Sequence, residues 1–258
     1  MLSRLSRSQS HRTILLAAAV ALVGLSACSV DDALRPSAPV GFAPAGLGPV
    51  GPAPVAPGNF GYAIPSPELI EPQPVPAEEI ACRQRLRRLG VTFEDIPPIR
   101  GGGGCGIEHP VKVSGLPGKV QLKPAATLTC AMAEAFALWT RDELNPASRR
   151  RYFSGVATIH QGSSYSCRTI GNRRGGTLSE HARGNAIDVM KLTLRNGREI
   201  DVRKPGLFSF RQRSLLNSVR GDACGYFSTV LGPGYNYDHR DHFHFDLKPR
   251  RNGRRACH

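Results

Sequence analysis

The sequence predicts an α+β domain in which helices pack on a small, mostly antiparallel sheet and disulfides hold the pieces together. Three observations lead there. Around 127–143, Leu128, Met132, Ala135, Phe136 and Trp139 recur at three-four spacing, which gives a helix one apolar face. Around 243–247, Phe243, Phe245 and Leu247 alternate with His242, His244 and Asp246, so a strand there has one core face and one polar face. Within 82–258 lie six cysteines, Cys82, Cys105, Cys130, Cys167, Cys224 and Cys257, with no CxxC pair among them. An even set without that pairing suits disulfides rather than thiolate metal binding.

Taken in order, residues 1–28 read as a lipoprotein export signal. Arg4, Arg7 and Arg12 precede the apolar run Ile14–Val23, and Leu25-Ser26-Ala27-Cys28 closes it. The run is too short to span a bilayer comfortably. The ending predicts a lipid on Cys28, which tethers a chain without a transmembrane helix. Ser29 follows the cysteine in place of Asp, which favours the outer membrane of a Gram-negative cell and a periplasmic domain. Residues 29–80 are rich in Pro, Ala and Gly; such a stretch buries too little apolar surface to offset its ordering entropy and is expected to be a disordered tether.

The remainder, 82–258, has the length of one domain. A short helix is expected at 82–89, with Leu86 and Leu89 on one side and Gly90 ending it. Gly101–Gly104 has no P-loop lysine and reads as a flexible loop. Val111–Val113 and Val120–Leu122 are expected as strands around Gly115-Leu116-Pro117-Gly118. The 127–143 helix is expected to stop ahead of Pro146. A strand fits 155–160, and a helix fits 212–220 with Leu215, Leu216 and Val219 inward. Six cysteines allow 15 connectivities. Joining sequence neighbours gives 82–105, 130–167 and 224–257, the last pinning the basic tail Arg250-Arg251-Asn252-Gly253-Arg254-Arg255 to the domain.

A formal net charge of +14 raises the question of anionic partners. In an exported chain without a nucleic-acid-binding motif, peptidoglycan or another anionic cell-envelope polymer is the expected partner, and nucleic acid is not.

The chemistry-bearing residues fall in two segments. In Ser179–Val189, His181 and Asp188 are seven apart, a spacing that suits neither the i,i+4 pairing of a helix nor one uninterrupted strand face; Gly184 between them permits a reversal. Asp188 lies between Ile187 and Val189 at the start of a strand, and a buried carboxylate requires a partner, which a metal would supply. In the second segment, period two places His242 and His244 on one face. A His and an Asp around a glycine turn, completed by a distant His-x-His strand, can assemble an open zinc site.

The Ser-x-His-x-x-Gly-x-Ala-x-Asp-Val pattern of 179–189 and Asp241-His242-Phe243-His244 resemble the extensin-like C-terminal domain family of bacterial proteins. Ser164-Tyr165-Ser166-Cys167-Arg168 and Leu231-Gly232-Pro233-Gly234 add to the match, which covers about 82–258. More distantly these motifs are similar to the zinc D-Ala-D-Ala peptidases and the penicillin-insensitive murein endopeptidase, which share the Hedgehog/DD-peptidase fold. The resemblance implies that His181, Asp188 and His244 bind Zn2+, leaving an open coordination position. It implies that Arg168 stabilises an oxyanion or binds a substrate carbonyl or carboxylate. Those D-Ala-D-Ala peptidases carry Glu three residues before the last ligand, where this chain has the shorter Asp241. His242, on the His244 face, is therefore expected as proton shuttle or transition-state donor, with Asp241 the runner-up. Ser179 is expected to orient the loop, and His239 to support the site from behind. The implied activity is zinc-dependent hydrolysis of cell-wall peptides; the alternative is a non-catalytic wall-binding lipoprotein that keeps the fold. A glycosidase is disfavoured, because no carboxylate pair stands out.

Overall fold

A computed structural model describes residues 74–203 and 205–258. The expected signal, the lipid-bearing Cys28 and the tether through residue 73 lie outside the described residues.

Helix α1 (Ala77–Leu89) follows Pro76, carries Glu78 and Glu79 in its first turn and Arg87 and Arg88 in its last, and ends on Gly90 at φ 76°. These charges complement the helix dipole, and a left-handed glycine is the usual stop. The helix begins ahead of the expected Cys82, so it reaches into the last residues of the stretch assigned to the tether. Strand β1 (Thr92–Asp95) follows. Then β2 (Ile99–Gly102) and β3 (Cys105–Ile107) pair with each other as a hairpin. The glycine run expected as a free loop is therefore a hairpin turn. Gly102, Gly103 and Gly104 all take positive φ (68°, 55° and 85°), which other residues adopt only with strain.

Strands β4 (Pro110–Leu116) and β5 (Val120–Thr129) extend the two short strands anticipated around Gly115–Gly118. β5 runs into α2 (Cys130–Trp139), so residues 127–129 are strand rather than helix; Thr129 caps α2 by accepting the Met132 N–H. The helical path then continues through a π-type turn at Thr140–Leu144 into α3 (Asn145–Tyr152). Pro146 does not stop it, because it falls in the first turn of α3, where its missing N–H costs nothing. The chain continues through β6 (Val156–Ser163), β7 (Ala186–Leu194), β8 (Glu199–Asp201), α4 (Phe210–Ala223), β9 (Thr229–Leu231), β10 (Phe243–Asp246) and β11 (Ala256–Cys257).

The main sheet has nine strands in the order β1-β4-β5-β6-β7-β10-β9-β11, with β8 added beside β7. Its pairings are antiparallel except β5 with β6 and β9 with β11. With the helices packed on it and three disulfides, the domain is α+β, as the periodicities predict. The core face of β10 meets α2 and α4. Phe245 packs edge-on against Trp139 at 5.0 Å and stacks on Phe227 at 4.7 Å, and Trp139 Nε1 donates to the Val219 carbonyl at 2.9 Å. Burial of Phe243 and Phe245 fixes the register of β10 and turns His242 and His244 to the other side of the sheet.

The disulfides are Cys82–Cys130, Cys105–Cys167 and Cys224–Cys257. The last is the expected pair; 82–105 and 130–167 are corrected. Sequence neighbours are not spatial neighbours here. Helix α1 lies along α2, which brings Cys82 to the start of α2. The β2–β3 hairpin lies instead over the segment that carries Arg168.

Candidate metal centre

His181 sits in a 3₁₀ turn, Glu180–Arg183, which Ser179 opens by accepting the His181 N–H and Gly184 closes at φ 62°. Ser179 thus orients the loop, as expected. Asp188 lies on β7 and His244 on β10, directly paired across the two strands. Two neighbouring segments and a third distant in sequence therefore deliver one donor atom each: His181 Nε2, an Asp188 carboxylate oxygen and His244 Nδ1, all within 4.8 Å of one another. Asp188 Oδ1 lies 2.9 Å from His244 Nδ1, Asp188 Oδ2 lies 3.2 Å from His181 Nε2, and the two histidine nitrogens are 3.2 Å apart.

The remaining ring nitrogen of each histidine has a fixed acceptor. His181 Nδ1 lies 2.7 Å from the Ser164 carbonyl; a carbonyl only accepts, so Nδ1 carries the proton and the Nε2 lone pair points inward. His244 Nε2 donates to Asp246 Oδ2 at 3.0 Å, which leaves Nδ1 for the site. Asp246 is itself held by the Lys248 N–H at 2.9 Å. Metal-binding histidines are commonly oriented this way, and the outer partner fixes both tautomer and aim. The donor set and its supports fit a metal ion: a buried His181, Asp188 and His244 group could hold one.

The electrostatics agree. Burial alone would raise the Asp188 carboxyl, but the contacts with His181 and His244 outweigh it and hold it far below the usual range. Burial alone would depress His244, but Asp188 and Asp246 hold it up at about 9. Burial raises Asp246 less than its hydrogen bond with His244 and the other contacts together lower it. A proton and any metal held there would compete for the same Nδ1 lone pair.

The trio lies in a cleft of about 520 Å³, also lined by Arg168, His239 and His242. His242 Nε2 is 3.8 Å from Asp188 Oδ1, while its Nδ1 is 3.0 Å from Asp241 Oδ1. That hydrogen bond, against a smaller effect of burial, holds the Asp241 carboxyl low. Asp241 reaches His242 but not the cleft lining. Arg168 Nη2 is 3.7 Å from Asp188 Oδ2. The His239 ring is 5.3 Å from His242 and 5.7 Å from His244, and its Nδ1 is 2.6 Å from Asn236 Oδ1. Burial first, then the charges of His244 and His242, push His239 down to about 4, so it stays neutral near pH 7.

The extensin-like protein C-terminus profile matches residues 80–258, well over half of the chain and all three donor segments. The chain belongs to that family. No curated protein and no solved structure shows significant similarity to it. In this extensin-like domain, the two motif segments and Arg168 do come together: His181, Asp188, His244, His242, Asp241 and Arg168 share one neighbourhood, as sequence reasoning expects. It does not identify the Ser164 carbonyl, which any residue type could supply, or Lys248 and Arg250 on the cleft wall. The role of Asp246 has a signal, since it extends the alternation of His242 and His244 by one step.

Proposed function

We propose that this extensin-like chain is a zinc-dependent amide hydrolase of cell-wall peptides, carried in the periplasm and held to the outer membrane by a lipid on Cys28. The supporting observation is the convergence of His181 Nε2, Asp188 and His244 Nδ1 on one point, with the outer N–H of each histidine tied to a fixed acceptor. Two imidazoles and one carboxylate facing an open cleft suit zinc better than calcium or magnesium, which prefer all-oxygen sites. Zinc, when bound, supplies Lewis acidity that polarises an amide carbonyl and makes water a competent nucleophile near neutral pH.

The chain's own groups supply the rest. His242 faces the cleft through Nε2 and is steadied at Nδ1 by Asp241, so Nε2 can accept a proton and return it to the leaving amine. Asp241 acts through His242 as a positioning residue. Arg168 stands beside Asp188 on the open side, where its guanidinium can take a substrate carbonyl or carboxylate. The test is a zinc-loaded protein incubated with a mixed muropeptide set. Cleavage by wild type, its loss in His181→Ala with the metal, and its loss in His242→Ala with the metal retained support the assignment. An intact muropeptide set with fully loaded wild type would sink it.

A second reading, a wall-binding lipoprotein without turnover, draws on the cations Arg168, Arg240, Lys248 and Arg250 along the cleft and on the position of Asp241 outside its lining. Salt-sensitive binding to sacculi with no released product would favour it.

A further inference from the structure

Around the end of α3 and the start of α4, the domain carries a surface that the hydrolase reading does not use. Leu207, Phe208 and Phe210 are 79%, 92% and 67% exposed at the approach to α4, and Phe153 at the end of α3 is 90% exposed. Arg151 Nε donates to Ser214 Oγ at 2.9 Å, and Arg211 lies over the Tyr152 ring at 5.7 Å; these contacts join the end of α3 to the start of α4. Four large apolar side chains in water are costly to leave without a partner.

The surroundings are basic. Among the described residues of 201–213, Arg203, Arg211 and Arg213 stand against the single acid Asp201, and α3 adds Arg149, Arg150 and Arg151 with no acid of its own. Arg213 holds the loop by donating to the Gly206 carbonyl at 3.1 Å, and its guanidinium stands 5.6 Å from the centre of the Phe210 ring. Beneath the loop is a pocket of about 170 Å³ with Val202, Leu216, Pro233 and Phe243 as apolar lining and Arg213 and Arg220 among its walls. Exposed apolar side chains among neighbouring arginines, beside an apolar pocket, match the interfacial layer of a bilayer with anionic head groups.

We propose that the loop 205–210 and the adjoining ends of α3 and α4 dock the folded domain on an anionic phospholipid surface, independently of any lipid on Cys28. Phe243 faces this pocket, whereas its neighbours His242 and His244 face the cleft across the sheet. Docking through this pocket therefore approaches the sheet on the Phe243 side, away from the side to which His242 and His244 turn. No helix among the described residues is long and apolar enough to cross a membrane, so the contact is interfacial.

The core and all three disulfides lie within 74–258, so a chain starting at Ser29 retains the folded unit without signal or lipid. Its co-sedimentation with vesicles of equal parts phosphatidylglycerol and phosphatidylcholine should exceed that with phosphatidylcholine alone. The exposed triple change Leu207→Ser, Phe208→Ser, Phe210→Ser should weaken binding roughly tenfold or more, with the thermal midpoint unchanged. Arg203→Glu with Arg211→Glu should weaken it too. Equal binding by the triple variant would mean that net charge alone attracts the protein, and the proposal falls. It falls likewise if wild type ignores the anionic vesicles, or if wild type self-associates through this face and the triple variant is merely monomeric.

Discussion

Asp188 and His244 are paired Cα to Cα across β7 and β10, and their side chains meet at 2.9 Å on the cleft side of that pair. A ladder position thus aligns the carboxylate with the imidazole, and only His181 has to be brought in by a turn. Replacing Asp188 with Ala removes the one anionic donor and leaves two neutral imidazoles. Zinc affinity should fall by more than a hundredfold, beyond the roughly 10–100-fold lost with an outer partner. Competition against a chelator of known affinity measures it, and retained affinity would mean that the metal is held elsewhere.

Asp246 gives a graded test of the same site. It touches the far nitrogen of His244 and no donor atom, so Asp246→Asn should keep the fold and lower zinc affinity by about 10–100-fold. A loss as large as that of Asp188→Ala would instead make Asp246 a direct ligand.

Much of this arrangement is legible in the residues because strand periodicity is local. The alternation through 242–247 places Phe243 and Phe245 against the core, Phe245 on Trp139, and delivers His242, His244 and Asp246 to one face. Gly184 announces the reversal that separates His181 from Asp188. The disulfides are not legible in the same way, since Cys82 finds Cys130 only because α1 packs on α2, a tertiary fact without a local signal. The start of α2 differs from the expected one because Leu128 suits either a helix face or the core side of β5, and pairing with Val111 decides for the strand. The Ser164 carbonyl is invisible to any side-chain pattern.

Zinc binding should tighten with pH. His244 is held at about 9, so below that value the metal must displace a proton from Nδ1, and apparent affinity should rise about tenfold per pH unit between roughly 6.5 and 9. The metal-stripped protein should show the opposite trend in stability. A pKa raised from 6.5 contributes stability fully below 6.5, and that contribution is lost as pH climbs through 9. The depressed Asp188 pKa works at the other end: its contribution is present above 3.8 and is lost as pH falls below it. Thermal midpoints with and without zinc across pH 6 to 9 should therefore diverge, and parallel curves would separate His244 from the metal.

The Cys105–Cys167 bridge joins the β2–β3 hairpin to the residue before Arg168, closing a separation of 62 residues. Changing both cysteines to Ser should cost about 2–4 kcal/mol by urea unfolding, mainly through a freer unfolded chain. Peptide mapping of the oxidised wild type should recover 82–130 and 105–167 as linked fragments. Recovery of 82–105 would overturn the hairpin's placement over the site.

Gly184 faces two separate demands. Its φ of 62° is left-handed, and a Cβ there would stand 2.1 Å from Ile107 Cδ1 on β3. Its carbonyl also accepts the Thr129 N–H at 2.8 Å, tying the His181 turn to the end of β5. Gly184→Ala should therefore cost the backbone penalty of about 1 kcal/mol plus the displacement of Ile107, about 2 kcal/mol or more in all. Gly90, at φ 76° with nothing within 4 Å of where a Cβ would sit, isolates the first demand, so Gly90→Ala should cost only about 1 kcal/mol. Adding Ile107→Val to Gly184→Ala should return part of the excess, because the smaller side chain removes Cδ1 from the clash. Zinc affinity should follow stability in this series, since the turn that Ile107 presses on is the one that aims His181. If Gly184→Ala and Gly90→Ala cost the same, the Ile107 contact contributes nothing and the turn is held by its backbone alone.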